Sequence, residues 1–187
     1  MILSLTHFLN RHQPFVKESA TWGGGTLPLR LTSYLSSEEP PLDYVTSVRA
    51  VVLQGNLVLV VRDAANSFHV TPGGRREKDE SVEATLRREV LEETGWAIIE
   101  VSLLGFMHFH HLAPKPDDYI YPHPDFVQLV YAAHADQFVS EAQQFGEYEL
   151  EAGFQSVVEA QSLKLSDSQR LFLDAALKAR GNTQSSW

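Results

Sequence analysis

TPGGRREKDESVEATLRREVLEETGW, Thr71–Trp96, is the stretch on which the reading of this chain turns. It opens on a proline and two glycines, which exclude regular structure and let the backbone approach a neighbour closely. A helix is predicted from Ser81 to Thr94, with Ser81 or Asp79 as its cap and Gly95 as the glycine that ends it. On a helical wheel Val82, Leu86 and Val90 form the stripe to be buried. Glu89, Glu92 and Glu93 stand at i, i+3 and i+4, side by side, with Glu89 and Glu93 at the edge of that stripe. Like charges so placed cost roughly a few tenths of a kcal/mol per pair, and partial burial raises the cost. Glu83 with Arg87, and Arg88 with Glu92, have the spacing of ion pairs, as a solvated charged face requires. Glu89 and Glu93 have no cation at helical spacing. A divalent cation such as Mg²⁺, Mn²⁺ or Ca²⁺, which prefers oxygen ligands, would resolve that conflict, and the helix by itself is compatible with either account.

The preceding loop adds weight to the cation. Gly73-Gly74 can offer a backbone carbonyl, another hard oxygen, and the loop leads to a helix N-terminus, whose exposed N–H groups suit a phosphate. The whole segment resembles the signature of the Nudix hydrolase family, G-x5-E-x7-R-E-U-x-E-E-x-G-U, with U a bulky aliphatic residue. Gly74, Glu80, Arg88, Glu89, Val90, Glu92, Glu93 and Gly95 occupy their positions. Trp96 departs from the last U, a change of packing more than of chemistry.

The resemblance implies an α/β/α sandwich with a mixed β-sheet, and hydrolysis of a diphosphate bond with Mg²⁺ or Mn²⁺ as cofactor. It implies metal ligands at Glu92, Glu93 and the Gly73 carbonyl, with Glu89 as a further ligand or as general base. Arg88 would orient a glutamate through charge-assisted hydrogen bonds, Glu80 would be structural, and Gly74 and Gly95 would shape the loops. Some family members take their base from outside the signature, and Glu147, Glu149 and Glu151 lie where such a residue could stand, with Glu149 as the choice. Arg75 and Arg76, just after the glycines, are the best-placed cations for phosphate, ahead of Arg49 and Arg62. The implied substrate is a nucleoside diphosphate linked to another moiety: a nucleotide sugar, a dinucleotide or a nucleoside triphosphate. No mark of an ADP-ribose, dinucleoside polyphosphate, NADH or coenzyme A subfamily is found, and the cysteine of a Nudix-like isomerase cannot exist in a chain without cysteine. The alternative is a binding module of the same fold that does no chemistry.

The rest of the chain supports the fold. Val45–Leu53 and Leu57–Val61, separated by Gln54-Gly55-Asn56, read as a hairpin, and Ser67–Val70 as a short strand before the loop. Strands are predicted at 98–111, 126–134 and near 150–157. A last helix opens on the capping-box pattern Ser166-Asp167-Ser168-Gln169, buries Leu171, Phe172, Ala175, Ala176 and Leu177, and closes at Gly181. Residues 1–44 read as an N-terminal extension of irregular pieces, 45–181 as the hydrolase domain and 182–187 as a tail. The run Trp22-Gly23-Gly24-Gly25 lacks the lysine of a phosphate-binding loop.

Composition narrows the partners. A net charge of −9 opposes binding to nucleic acid polymers and anionic membranes, so the expected partner is a small nucleotide-type molecule, with a homodimer also possible. The N-terminus lacks the basic region of a signal peptide and no run is long enough to span a membrane, from which a cytoplasmic protein is expected. His108, His110 and His111 cluster on one predicted strand, with His123 and His134 nearby in sequence. Packing, lining of the substrate site and a transition-metal site are all open to them, in falling order. Phe106, Phe109, Tyr119, Tyr121 and Phe126 flank the Pro-rich loop Ala113–Pro124, where one could stack on a nucleobase.

Overall fold

A strand covered on both faces must be apolar at nearly every position, and Val45–Gln54 (β3) meets that demand: Val48, Ala50, Val51, Val52 and Leu53 are all buried. Val48, Ala50 and Val52 pack on one side of the sheet with Leu86, Val90 and Phe106. Val51 and Leu53 pack on the other with Val130, Phe172 and Leu173. The period of two along β3 therefore sorts its side chains into two cores, with helices over both faces. The computed structural model describes residues 4–22, 25–117, 119–144 and 149–183, the side chains of residues 149, 150, 182 and 183 excepted.

β3 turns at Gly55-Asn56 into Leu57–Asp63 (β4). Gly55 has φ +55°, the left-handed geometry a two-residue hairpin loop needs. Phe68–His69 (β5) pairs with β4, and the glycine loop then leads to Val82–Thr94 (α2). Trp96–His111 (β6) and Asp125–Phe138 (β7) form a long antiparallel pair, and β7 lies parallel to β3. Glu149–Ser156 (β8) pairs with β4. Val157–Ser162 (α3) and Asp167–Thr183 (α4) cover the face opposite α2. The result is the expected α/β/α arrangement around a mixed sheet. No described helix is long and apolar enough to cross a membrane.

The N-terminal segment is a correction to the sequence reading. Leu5–Leu9 (α1), Val16–Trp22 (β1) and Leu27–Leu35 (β2) are regular elements. β1 and β2 form a hairpin, and β2 pairs with β6 from Leu29↔His111 to Leu35↔Gly105, so the sheet runs β1-β2-β6-β7-β3-β4-β5. Phe8 of α1 closes over Phe106, which stacks on Tyr34 at 4.7 Å. The strands escaped notice because the clean polar–apolar alternation is missing: Ser33 is wholly buried and Trp22 partly exposed. The C-terminal end differs too. The predicted strand stops at Ser156, which caps α3 in a reciprocal box with Glu159. At α4 only half a box forms: Ser166 Oγ accepts from Gln169 N, but the Gln169 side chain accepts from Val70 N instead. The helix runs past Gly181 to Thr183.

Candidate active site

α2 begins where Ser81 Oγ accepts from Ala84 N at 3.1 Å and ends where Gly95, at φ +76°, donates to Leu91 O. A Cβ at Gly95 would come within 2.6 Å of Phe138. Val90 and Leu86 sink into the core, and this fixes the direction in which the acidic face points.

That face is organised by Arg88. Its guanidinium grips Glu80 with two hydrogen bonds of 2.9 and 2.8 Å, and reaches Glu89 at 2.8 Å, Glu92 at 3.1 Å and the Arg75 carbonyl at 3.1 Å. Glu89 is thus not left without a cation, as its spacing suggests. Adjacent residues on a helix do not normally face each other, but the long planar fork of arginine bridges the gap. The Arg88 hydrogen bonds hold the Glu80 carboxyl down to about 2, helped by Thr85 and the Glu77 amide. Glu89 shifts the other way: burial raises it, only partly offset by Arg88.

The glycine loop is tied down on β3. Ala50 N donates to Pro72 O, Val48 N to Gly74 O and Arg76 N to Thr46 O. Gly73 has φ +134°, and a Cβ there would meet Val48 O at 2.3 Å. Two carboxylates of α2, one turn apart, then close on the loop. Glu93 Oε2 accepts from Gly73 N at 2.6 Å, while Glu89 Oε2 sits only 2.0 Å from where a Cβ on Gly74 would stand. Gly74 is needed because the carboxylate occupies the side-chain space. With Gly74 O engaged by Val48, Gly73 is the loop carbonyl to consider as a ligand.

The loop and Glu93 form the rim of a cleft of about 540 Å³ on the α4 face of the sheet, and Glu89 stands behind Gly74, outside its lining. Gly73, Gly74, Arg75 and Glu93 line one end, with Arg49 and His69. Burial, and Arg49 beside it, pushes His69 down to about 4. Its 3.5 Å approach to Glu93 is accordingly that of a neutral imidazole at neutral pH, not an ion pair. Among the described residues no three His, Asp or Glu side chains are gathered into a finished cation cage. The donor set nonetheless fits a hard divalent cation in kind: all oxygen, carboxylate-rich, and packed on a loop that glycine keeps open.

A family model described as NUDIX domain matches residues 43–176. The chain belongs to the Nudix hydrolase family. It is 30% identical over 141 residues to an uncharacterized Nudix hydrolase, YvcI, of Bacillus subtilis (strain 168), across 75% of this chain and 84% of that one. A NUDIX hydrolase from Nitrosomonas europaea shares the fold with a TM-score of 0.56 at 20% identity, over 72% of this chain and 90% of that structure. A mutant of the Bacillus subtilis pyrophosphohydrolase BsRppH aligns with a TM-score of 0.55 at 19% identity, over 91% of this chain and 98% of its own. That last coverage has to take in part of the N-terminal segment.

The remaining residues of this Nudix hydrolase fall in unequal places. Arg75 hangs over the cleft, its guanidinium 4.7 Å above the Tyr121 ring and bonded to the Tyr121 hydroxyl at 2.9 Å. Arg76 does not reach the cleft, a correction to its placing as a phosphate contact. It donates to Glu80 O and Leu42 O and lines a separate hollow beside the start of α2. The alternation of the loop turns successive side chains to opposite sides. Arg62 is taken up by Glu151, at 2.9 Å on the surface. Glu147 and the side chain of Glu149 lie outside the described residues. Trp96 fills its unusual position by packing between Phe138 and Phe154.

The histidine cluster is split by the strand. His108 and His110 share a face and both contact Asp125 Oδ1, at 2.7 and 2.8 Å, while His111 meets the Tyr119 hydroxyl at 2.9 Å. None of the three lines the cleft. Arg49, placed behind Arg75 and Arg76 in the sequence reading, and His69, which nothing in the sequence singles out, also line the cleft. Arg49 could have been found: on β3 it shares the face of Ser47 and Val51 and is the strand's only charge.

Proposed function

We propose that this Nudix hydrolase cuts a diphosphate bond in a nucleoside diphosphate linked to another moiety, be it a nucleotide sugar, a dinucleotide or the third phosphate of a nucleoside triphosphate. Mg²⁺ or Mn²⁺ would be held by Glu92, Glu93 and the Gly73 carbonyl, with Glu89 as a further ligand or as the general base. The observation that carries this reading is the closure of Glu89 and Glu93 on Gly73-Gly74 at one end of the cleft. Bound there, the cation supplies charge neutralisation to the diphosphate and a more acidic water as nucleophile.

The chain's own residues do the rest. Arg75 and Arg49 present positive charge to phosphate oxygens along the cleft. Arg88 keeps Glu80, Glu89 and Glu92 in fixed relation, so the carboxylates are arranged before the substrate arrives. As the base and not a ligand, Glu89, its carboxyl raised by burial, is a better proton acceptor than an ordinary glutamate, which suits it to take the proton of the attacking water. Glu149 is the rival for that part. Water attacks phosphorus, the P–O bond of the bridging oxygen breaks, and two phosphate-bearing products leave. The acidic surface turns polymeric nucleic acid away, and the partner is a small nucleotide.

The test is phosphate release from a panel of nucleoside triphosphates, nucleotide sugars and dinucleotides, with Mg²⁺ or Mn²⁺ and with chelator. Turnover that needs the metal and falls at least 100-fold in a folded Glu93→Gln variant is the expected result. Metal-dependent binding with no turnover of any panel member would replace this reading with the binding module.

A further inference from the structure

The cleft has a second end that diphosphate chemistry does not use. Its floor is made by alternate residues of β2, β6 and β7, among them Leu31, Phe109, Phe126 and Gln128. Phe109 and Phe126 are partners in the β6–β7 register, and their rings stack 4.7 Å apart and within 9° of parallel. Trp22, the last residue of β1, closes on both, its ring 5.2 Å from Phe109 and 5.7 Å from Phe126. The two phenylalanines are buried, but Trp22 is 39% exposed and lines the cleft. An open aromatic surface on a packed aromatic base is a stacking platform rather than a piece of core.

Two polar groups lie between this platform and the glycine loop. Ser47 Oγ is buried and has no hydrogen-bond partner among the described residues. Gln128, beside it in the β3–β7 register, is 7% exposed. Both line the cleft. An orphaned buried polar group is costly, and in a cleft wall it points to a ligand that completes it. β6 lies two strand steps from β3, about 10 Å. A sugar fits in that interval between a flat ring on the aromatics and a diphosphate at the loop.

We propose that Trp22 is a specificity-determining residue, and that the nucleobase of the substrate stacks on Trp22 above Phe109 and Phe126 while Gln128 and Ser47 hydrogen-bond to the base edge or the ribose. The proposal rests on the nucleotide reading given above. Trp22 lies outside the residues that match the family model, so the hairpin adds the exposed ring to a base whose other residues lie within that match. A base without a platform would leave selectivity to the phosphates, which all nucleotides share.

The experiment uses the full chain with Mg²⁺ and two classes of probe that cannot be hydrolysed. One is the set of α,β-methylene nucleoside diphosphates carrying each base; the other is methylenediphosphonate, which has the phosphorus groups and no nucleoside. Calorimetry should show at least one nucleoside probe binding more tightly than methylenediphosphonate. Trp22→Ala should weaken that probe roughly tenfold, Trp22→Phe should keep it within about threefold, and methylenediphosphonate should bind all three proteins alike. Equal weakening of both probes in Trp22→Ala would reduce Trp22 to a structural role and overturn the proposal. Methylenediphosphonate binding with no nucleoside advantage in the unmodified protein would overturn it too, while leaving the diphosphate site intact. Failure of both probes to bind with Mg²⁺ would remove the nucleotide reading and this proposal together.

Discussion

The loop and helix over residues 71–95 and the hairpin over residues 16–35 face the same cleft, but they are held there by different physics. The first is a web of charge: Arg88 alone bonds three glutamates and a carbonyl, and its partners lie within 13 positions of it. The second is held by strand register. β2 lines up on β6, some 75 positions away, and Glu18 reaches Asp167 N across 149 positions. Local, charged geometry ties the carboxylates to one another, as the proposed chemistry demands. Register makes a wall, which needs shape more than charge. On this comparison, damage to the first region should cost rate, and damage to the second should cost affinity.

The largest effect is expected at Gly74→Ala. The new methyl would stand 2.0 Å from Glu89 Oε2, and the carboxylate, at the end of a flexible side chain, would move aside. The fold should melt within a few degrees of the original, while kcat falls by about 100-fold, as misplacement by an ångström does. A kinetic titration of the variant against its melting curve measures both. If activity survives, Glu89 is not where the reaction needs it, and the charged end is less rigid than its hydrogen bonds suggest.

Next is Glu80→Gln, which disturbs two of the five hydrogen bonds that anchor Arg88. The amide keeps one acceptor but loses the charge and the second acceptor, which predicts destabilisation by about 2 kcal/mol. The sign with pH follows from the Glu80 carboxyl at about 2, well below its ordinary value of 4.5. A group lowered in the folded state stabilises fully above 4.5, and that contribution disappears as pH falls toward 2. Denaturant titrations should therefore show the gap between the original and Glu80→Gln constant at neutral pH and closing below 4.5. A gap that stays open at low pH would mean that Glu80 acts through packing and not through its charge.

The same contrast explains what could be read in advance. The helix 82–94, its Ser81 cap and Gly95 stop, and the grouping of Glu89, Glu92 and Glu93 all follow from spacing within one segment. Which arginine faces the cleft does not: Arg75 and Arg76 are neighbours, and the bridge of Arg75 to Ser47 decides which of them looks into it. His69 was invisible because its meaning comes from Glu93 and Arg49, brought near by the fold. β1 offered few apolar positions, since the face it presents, with Glu18 and Trp22, is a cleft wall and not a core. A residue such as Ser33, buried against Ser168 at 2.8 Å, reads as surface until its partner is known.

The smallest effect, and the one that best separates the two regions, is expected at Glu18→Ala. Glu18 accepts from Asp167 N at 3.1 Å and Ser168 N at 3.3 Å, and from the Ser168 hydroxyl. It therefore serves α4 as an N-cap supplied from another strand, with its negative charge at the positive end of the helix. Removing it should cost about 1 kcal/mol, a fall of roughly 2–4 °C in melting temperature for a chain of this size. Because Glu18 also pins β1 over the cleft, amide exchange in residues 16–22 should quicken. KM for the nucleotide should rise a few-fold while kcat at saturation stays unchanged. A fall in kcat like that of Gly74→Ala would show that the hairpin helps to place the carboxylates. The two ends of the cleft would then be one mechanical unit, and the division between rate and affinity drawn here would have to be given up.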